Sequence, residues 1–214
     1  MTTFEDFLKL VPKLRDSTLP GLSAQLEMAA VERLEELQEA SLKNRQPKQA
    51  SVMFLVYERD KKSYFVLIER VKSTGKHSGQ IAFPGGRSEK TDPDHAFTAL
   101  RETYEEVGVP IEQQEVVMAG TPLYIPPSNY MVHSYLAFAK ARPTFTPQKS
   151  EVNRIIEVPL SHLIDDSIIS AVTLSTSYMS DVKVPCFEFN EMIVWGATAM
   201  MLNEYKHMLK NLNP

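Results

Sequence analysis

Hydrophobic positions change period several times along the chain, and each change marks an element. In residues 3–15, Phe4, Phe7, Leu8, Val11 and Leu14 recur at helical spacing, with Thr3 placed to cap the first turn. Leu19-Pro20-Gly21 interrupts the pattern. Residues 22–43 resume it, with Leu26, Ala29, Ala30, Leu34, Leu37 and Ala40 on one side. Glu27, Glu32, Glu35, Gln38 and Glu39 form the opposite, solvated face, and Arg33 lies in the apolar stripe, where its stem packs and its head reaches water. Residues 44–49, with Pro47, read as a linker. Residues 1–49 are therefore expected to be an N-terminal helical extension of a second unit, residues 50–214, packed on that unit or on a partner subunit.

From residue 50 the period shortens. Residues 50–57 and 64–70 are β-branched and aromatic, and Arg59-Asp60-Lys61-Lys62 between them predicts a hairpin. The stretch leading up to Gly108 returns to helical spacing. Asp92 or Asp94 with Pro93 starts this helix, Gly108 ends it, and Ala96, Phe97, Ala99, Leu100 and Tyr104 supply its apolar side. Strands are expected at 115–124, 131–140 and 151–159, a helical turn at 160–166, and two further strands at 171–179 and 182–189. An apolar stretch at 192–195 leads through Gly196 into a last helix reaching Lys210, with Trp195, Met200 and Met201 assigned to the core. Strands on both sides of one central helix, with another helix at the end, predict an α/β fold in which a mixed sheet lies between helices.

Composition narrows the function. A net charge of −4 and a pI near 5.8 argue against a nucleic-acid surface held by electrostatics, so an anionic substrate must be met by local cations or a metal. The single cysteine, Cys186, has no internal partner for a disulfide and reads as a small buried hydrophobe, which suits a reducing compartment. The chain lacks an apolar run of ~18 residues, which argues against a membrane span, and the acidic N-terminus does not read as a signal peptide. A cytoplasmic location is the expectation.

The chemistry concentrates in residues 85–109. Residues three and four apart share a helix face, so Glu102, Glu105 and Glu106 are expected to project together. Like charges at that spacing cost a few tenths of a kcal/mol per pair; a divalent cation reverses the sign. Upstream, Phe83-Pro84-Gly85-Gly86 allows a sharp turn and close approach of backbone to a ligand. Lys72, Lys76 and His77, in a loop at 71–80, are candidates for phosphate contacts. Asn129 and Tyr130, beside a Pro-Pro-Ser turn, are candidates to face a substrate, and Glu151 is an acidic strand start.

This stretch resembles the Nudix box. Arg101, Glu102, Glu105, Glu106, Gly108 and Val109 match it; Asp92 stands at the upstream glutamate position, Arg101 comes one residue late, and Thr103 replaces an aliphatic residue. The longer spacing is similar to that of the coenzyme A pyrophosphatase branch, as is a preceding motif in which Leu67, Arg70, Gly79, Phe83, Pro84, Gly85 and Gly86 match; Gly75 occupies the place of a second arginine. The resemblance implies a Nudix-type α/β/α sandwich and hydrolysis of a diphosphate linkage with Mg²⁺ or Mn²⁺. It implies Glu102 and Glu106 as metal ligands, Glu105 as ligand or base, the Gly85 carbonyl as a further metal oxygen, Arg101 as the residue holding a box carboxylate, and Glu151 as an additional base or ligand. Arg70, Lys76, His77, Asn129 and Tyr130 are the expected substrate-binding set. The substrate implied is a small dinucleotide-like diphosphate, either coenzyme A and its acyl derivatives or ADP-ribose and other nucleoside diphosphate sugars. A non-catalytic nucleotide-sensing module is the reading from a different class. Neither nucleic acid nor membrane is an expected partner, and a homodimer is compatible with the resemblance and with the helical extension.

Overall fold

The strand Lys48–Arg59 (β1) is packed on both faces in the computed structural model, which describes residues 3–31, 46–72, 79–176, 179–189 and 192–212. Met53, Phe54, Leu55, Val56 and Tyr57 are all fully buried. A continuous apolar run of this kind is what a strand covered from two sides requires. Asp60 and Lys61 connect it to Lys62–Arg70 (β2), with φ of 52° and 63°. Two residues in left-handed backbone give the tight hairpin whose twist matches that of its strands.

The sheet is mixed. β1 runs parallel to Tyr130–Ala139 (β7) and antiparallel to β2. The sheet order is β3-β2-β1-β7-β5, where β3 is Ile81–Ala82 and β5 is Gln114–Ala119. Gly85–Arg87 (β4) pairs with β1 at Ala50–Val52, Leu123–Ile125 (β6) with β7, and Val152–Pro159 (β8) with β2. The Phe83-Pro84-Gly85-Gly86 segment is thus a short strand clipped to β1 as well as a turn.

The two faces are covered by different helices. Met53, Leu55 and Tyr57 face one apolar cluster with Ala99 and Val107 of His95–Val107 (α3). Phe54 and Val56 face another, built with Phe4–Arg15 (α1) and Gly196–Leu212 (α5). Ring contacts of 5.1 Å from Phe54 to both Phe65 and Tyr205 bind the second layer. Between β8 and α5 lie a helical turn, Leu160–Ile164 (α4), and a separate antiparallel sheet of Ile169–Thr176 (β9), Met179–Phe189 (β10) and Met192–Trp195 (β11). Among the described residues no helix is long and apolar enough to cross a membrane.

Several expectations are corrected. α1 forms with Thr3 in a reciprocal capping box and lies on the chain's own sheet, where the Phe4 N–H donates to the Lys61 carbonyl at 3.0 Å. Leu10, not Leu8, joins its buried face. Within the helix expected at 22–43, the described residues are α-helical over Leu22–Leu26 (α2). The Met28 and Ala29 N–H groups turn back to the Gln25 and Leu26 carbonyls, three residues away, while the Ala24 carbonyl accepts from the Asn203 amide at 2.7 Å. A tertiary partner therefore takes an acceptor that the next helical turn needs. Residues 32–45, including Arg33, Leu34, Leu37 and Ala40, lie outside the described residues. The expected linker ends early because Lys48 pairs with Tyr130 in the sheet. The strand expected at 115–124 is two strands: the Gly120 N–H donates to the Ser134 carbonyl, the Thr121 N–H donates to Glu204, and Pro122 has no N–H to donate.

Candidate active site

α3 is bounded as the sequence suggests. Asp94 caps it by accepting from the Phe97 N–H at 2.7 Å, and Gly108 ends it in left-handed backbone, φ 78°. Its buried face differs from the expected one. Thr98, Ala99, Thr103, Glu106 and Val107 point inward, while Tyr104 is 52% exposed. The three glutamates differ sharply in burial. The Glu106 side chain is 2% exposed, that of Glu102 14%, and that of Glu105 52%.

Local hydrogen bonding explains this order. Buried Glu106 accepts from the Gly85 N–H at 2.8 Å and faces Arg70 Nη1 at 3.4 Å. Gly85, at φ 152°, has no room for a side chain, since a Cβ there would stand 2.4 Å from the Ser51 carbonyl oxygen. A Cβ on Gly86 would stand 2.5 Å from Glu102 Oε2. Gly85 therefore lets β4 lie directly against β1, and Gly86 lets it lie against the Glu102 carboxylate of α3.

Arg101 organises the outer side. Its Nε and Nη2 donate to the two oxygens of Asp92 at 3.0 and 2.9 Å, and Nη2 also donates to the Arg87 carbonyl at 3.1 Å. Its Nη1 donates to Glu102 Oε1 and Glu105 Oε2, each at 3.0 Å. The Arg101 guanidinium beside Asp92 holds that carboxyl well below the usual carboxylate range. Burial pushes the Glu106 carboxyl up to about 7, with Glu102 and Glu151 adding repulsion. Burial also raises Glu102, which feels Glu105 and Glu151.

Of these groups, Arg101, Glu102 and Glu105 stand in the wall of a cleft of about 790 Å³. Arg70, Arg87, Arg101, Glu102, Glu105 and Glu151 line its polar end, and Gly85 and Gly86 also line the cleft. The other end is apolar, with Met28, Ala29, Leu123, Tyr130, Trp195 and Met201 in its wall. Trp195 and Tyr130 thus border the cleft, and Met200 and Met201 are both core and wall. Asn129 is not in the wall. It sits in the preceding turn at φ 55°, where its Oδ1 accepts from the Tyr124 hydroxyl at 3.0 Å. Lys76 and His77 lie outside the described residues, as does Gly75.

The sequence reading missed Arg87, Trp195, and the Met28–Ala30 segment as parts of this cleft. Arg87 was signalled by its position directly after the two glycines. The others carry no local signal, because residues far apart in sequence bring them to the cleft.

A hard divalent cation fits the polar end. Among the described residues, no three His, Cys, Asp or Glu side chains form a ready-made metal cage. Mg²⁺ does not need one: it commonly takes one or two carboxylates, keeps waters, and completes its shell with substrate phosphate. Glu102 and Glu106 offer two carboxylates that repel one another beside an open cleft, one of them seated where only glycine leaves space.

The chain is similar to known proteins in sequence and in fold. The sequence profile of the NUDIX domain matches residues 47–171. The chain is 29% identical over 174 residues to the peroxisomal coenzyme A diphosphatase ndx-8 of Caenorhabditis elegans, covering 80% of this chain and 73% of that one. It is 30% identical over 129 residues to the mitochondrial coenzyme A diphosphatase NUDT8 of Homo sapiens, covering 60% of this chain and 55% of that one. Among solved structures, a MutT/nudix family protein from Enterococcus faecalis superposes with a TM-score of 0.53 at 16% identity, covering 91% of this chain and 76% of that one, which supports the fold.

Proposed function

Because this chain belongs to the Nudix hydrolase family, we propose that it cleaves the diphosphate linkage of coenzyme A or its acyl derivatives. The products are 4′-phosphopantetheine, or its acyl form, and adenosine 3′,5′-bisphosphate. The observation that carries this reading is the two-ended cleft: paired acidic and basic side chains at one end, an apolar chamber at the other. A diphosphate carrying a large organic group offers anionic oxygens to the polar end and that group to the apolar one. The coenzyme A diphosphatases among the relatives support the choice of substrate.

In this reading Glu102 and Glu106 hold Mg²⁺ or Mn²⁺, with Glu105 and the Gly85 carbonyl as further oxygens. When bound, the cation supplies charge neutralisation of the diphosphate and a more acidic water. Arg70 and Arg87 meet phosphate oxygens at the cleft wall, with Lys76 and His77 as additional phosphate contacts. Arg101 orients Glu102 through a charge-assisted hydrogen bond. The exposed carboxylate of Glu151, at the cleft edge, accepts the proton of the attacking water; its backbone carbonyl is fixed by the Val71 N–H at 2.8 Å. Tyr130 borders the organic group of the substrate, and Asn129 acts through the Tyr124 hydroxyl.

The test is a panel of diphosphates with Mg²⁺ or Mn²⁺ and separation of products. The reading expects coenzyme A or an acyl-coenzyme A to be cleaved with the highest kcat/KM. Preference for ADP-ribose, or equal turnover of coenzyme A and its form lacking the 3′-phosphate, would overturn the substrate assignment. Absence of turnover across the panel would leave a binding module.

A further inference from the structure

The carboxylate of Glu204, on α5, is fully buried and does not line the cleft, yet it gathers four donors. It accepts from the Gly21 N–H, Gln25 Nε2 and the Thr121 N–H at 3.0 Å each, and from the Thr121 hydroxyl at 2.5 Å. A buried carboxylate is held only where hydrogen bonds replace its lost hydration. The donors come from two distant parts of the chain. Gly21 and Gln25 flank and occupy α2; Thr121 lies in the connection from β5 to β6. Gly120 closes the site, since a Cβ there would meet Ser134 Oγ at 2.5 Å and the Tyr205 hydroxyl at 2.7 Å.

Neighbouring positions of α5 extend the clamp. Asn203 Nδ2 donates to the Ala24 carbonyl at 2.7 Å and to Glu27 at 2.9 Å, and His207 Nε2 lies 2.8 Å from Glu27. The chain leaves this clamp directly into Met28, Ala29 and Ala30, which are buried and form one wall of the apolar chamber. Leu123 and Tyr124, which follow Thr121 closely, form another. One carboxylate therefore fixes the approach to two walls.

We infer that Glu204 is a positioning residue that sets the width of the apolar chamber through Met28–Ala30 and Leu123–Tyr124, and with it the affinity for the organic group attached to the diphosphate. The polar end is built by other elements, β2, β4, α3 and the turn before β8, so loosening this clamp is expected to change binding more than chemistry. The inference deepens the proposed function and rests on it for the identity of the substrate.

Trp195 lines the same chamber and is the one tryptophan of the chain, so its fluorescence reports on that end alone. The experiment compares wild type, Glu204→Gln and Thr121→Val. It measures kcat and KM for coenzyme A and for ADP-ribose with Mg²⁺, and Kd from quenching of Trp195 without metal. The expected result is a rise of about tenfold in KM and in Kd, with kcat within twofold and the Mg²⁺ concentration for half-activation unchanged. If Glu204→Gln does not fold, Ala29→Leu narrows the chamber with the clamp intact and is expected to raise KM and Kd likewise. A folded Glu204→Gln or Thr121→Val with wild-type KM and Kd would overturn the inference, as would a fall in kcat at constant KM. Failure of wild type to cleave coenzyme A sinks the proposed substrate instead, and the Glu204 comparison is then read on ADP-ribose turnover and Trp195 quenching.

Discussion

The backbone of Gly86 lies so close to the Glu102 carboxylate that a methyl group on its Cα would stand 2.5 Å from Oε2. Gly86 has no left-handed φ, so Gly86→Ala should act through that contact rather than through backbone strain. A displacement of about 1 Å in a group that positions reactants can cost on the order of 100-fold in rate. Gly86→Ala is expected to lower kcat/KM by roughly that factor, weaken activation by Mg²⁺, and leave the circular dichroism spectrum unchanged. Steady-state kinetics across a Mg²⁺ titration checks this.

Arg101 and Asp92 form a two-pronged ion pair with side chains 14% and 3% exposed. Removing one partner of a largely buried pair leaves the other uncompensated, at a cost of about 3 kcal/mol. Asp92→Ala is expected to destabilise the protein by about that amount in urea denaturation. Turnover should also fall about tenfold, because Arg101 loses the anchor from which it holds Glu102. The low pKa of Asp92 gives the sign with pH: its stabilisation is complete above the ordinary carboxylate range and is lost only as pH falls far below it.

Glu106 has the opposite sign. Its carboxyl is pushed by burial from an ordinary 4.5 to about 7, so the folded, metal-free protein binds this proton more tightly than the unfolded chain. Stability from this group is complete below pH ~4.5 and is lost as pH rises through 7, on the order of 3 kcal/mol in all. The Tm of metal-free protein should therefore fall between pH 5 and pH 8 by more in wild type than in Glu106→Gln. Because a cation competes with that proton, the Tm rise on adding Mn²⁺ should be larger at pH 8 than at pH 6.

Thr103 occupies a position where the Nudix box has an aliphatic residue. It is fully buried, and its hydroxyl donates to the Ala99 carbonyl at 2.7 Å, one turn back. That bond adds little to a helix whose carbonyl is already engaged. Thr103→Val is expected to change stability by less than about 1 kcal/mol and leave kcat unchanged. Thermal melts and kinetics of the purified variant test both parts.

Much of the frame around the site was legible in the sequence. The cap Asp94, the stop Gly108, the hairpin at Asp60-Lys61 and the match of residues 101–109 to the Nudix box all rest on short-range chemistry that a sequence displays. Which carboxylate turns inward was not legible. Helical spacing groups Glu102, Glu105 and Glu106 together, but the Gly85 N–H and Arg70 draw Glu106 into the core while Arg101 keeps Glu105 at the surface. Tyr104, expected on the apolar side, is exposed instead. The end of α2 and the break at Gly120 depend on Asn203 and Glu204, more than 80 residues away in sequence, which no local pattern encodes. Trp195 read as core because apolar chambers and apolar cores draw on the same residues.

The central claim is that Glu102 and Glu106 hold a divalent cation at the polar end of the cleft. Anomalous scattering from crystals soaked in Mn²⁺ tests it most directly. The account predicts a peak within about 2.0–2.3 Å of an oxygen of each carboxylate, absent in Glu106→Gln crystals. A Mn²⁺ peak elsewhere on the protein, with Glu106 still held by the Gly85 N–H and Glu102 by Arg101 alone, would contradict it.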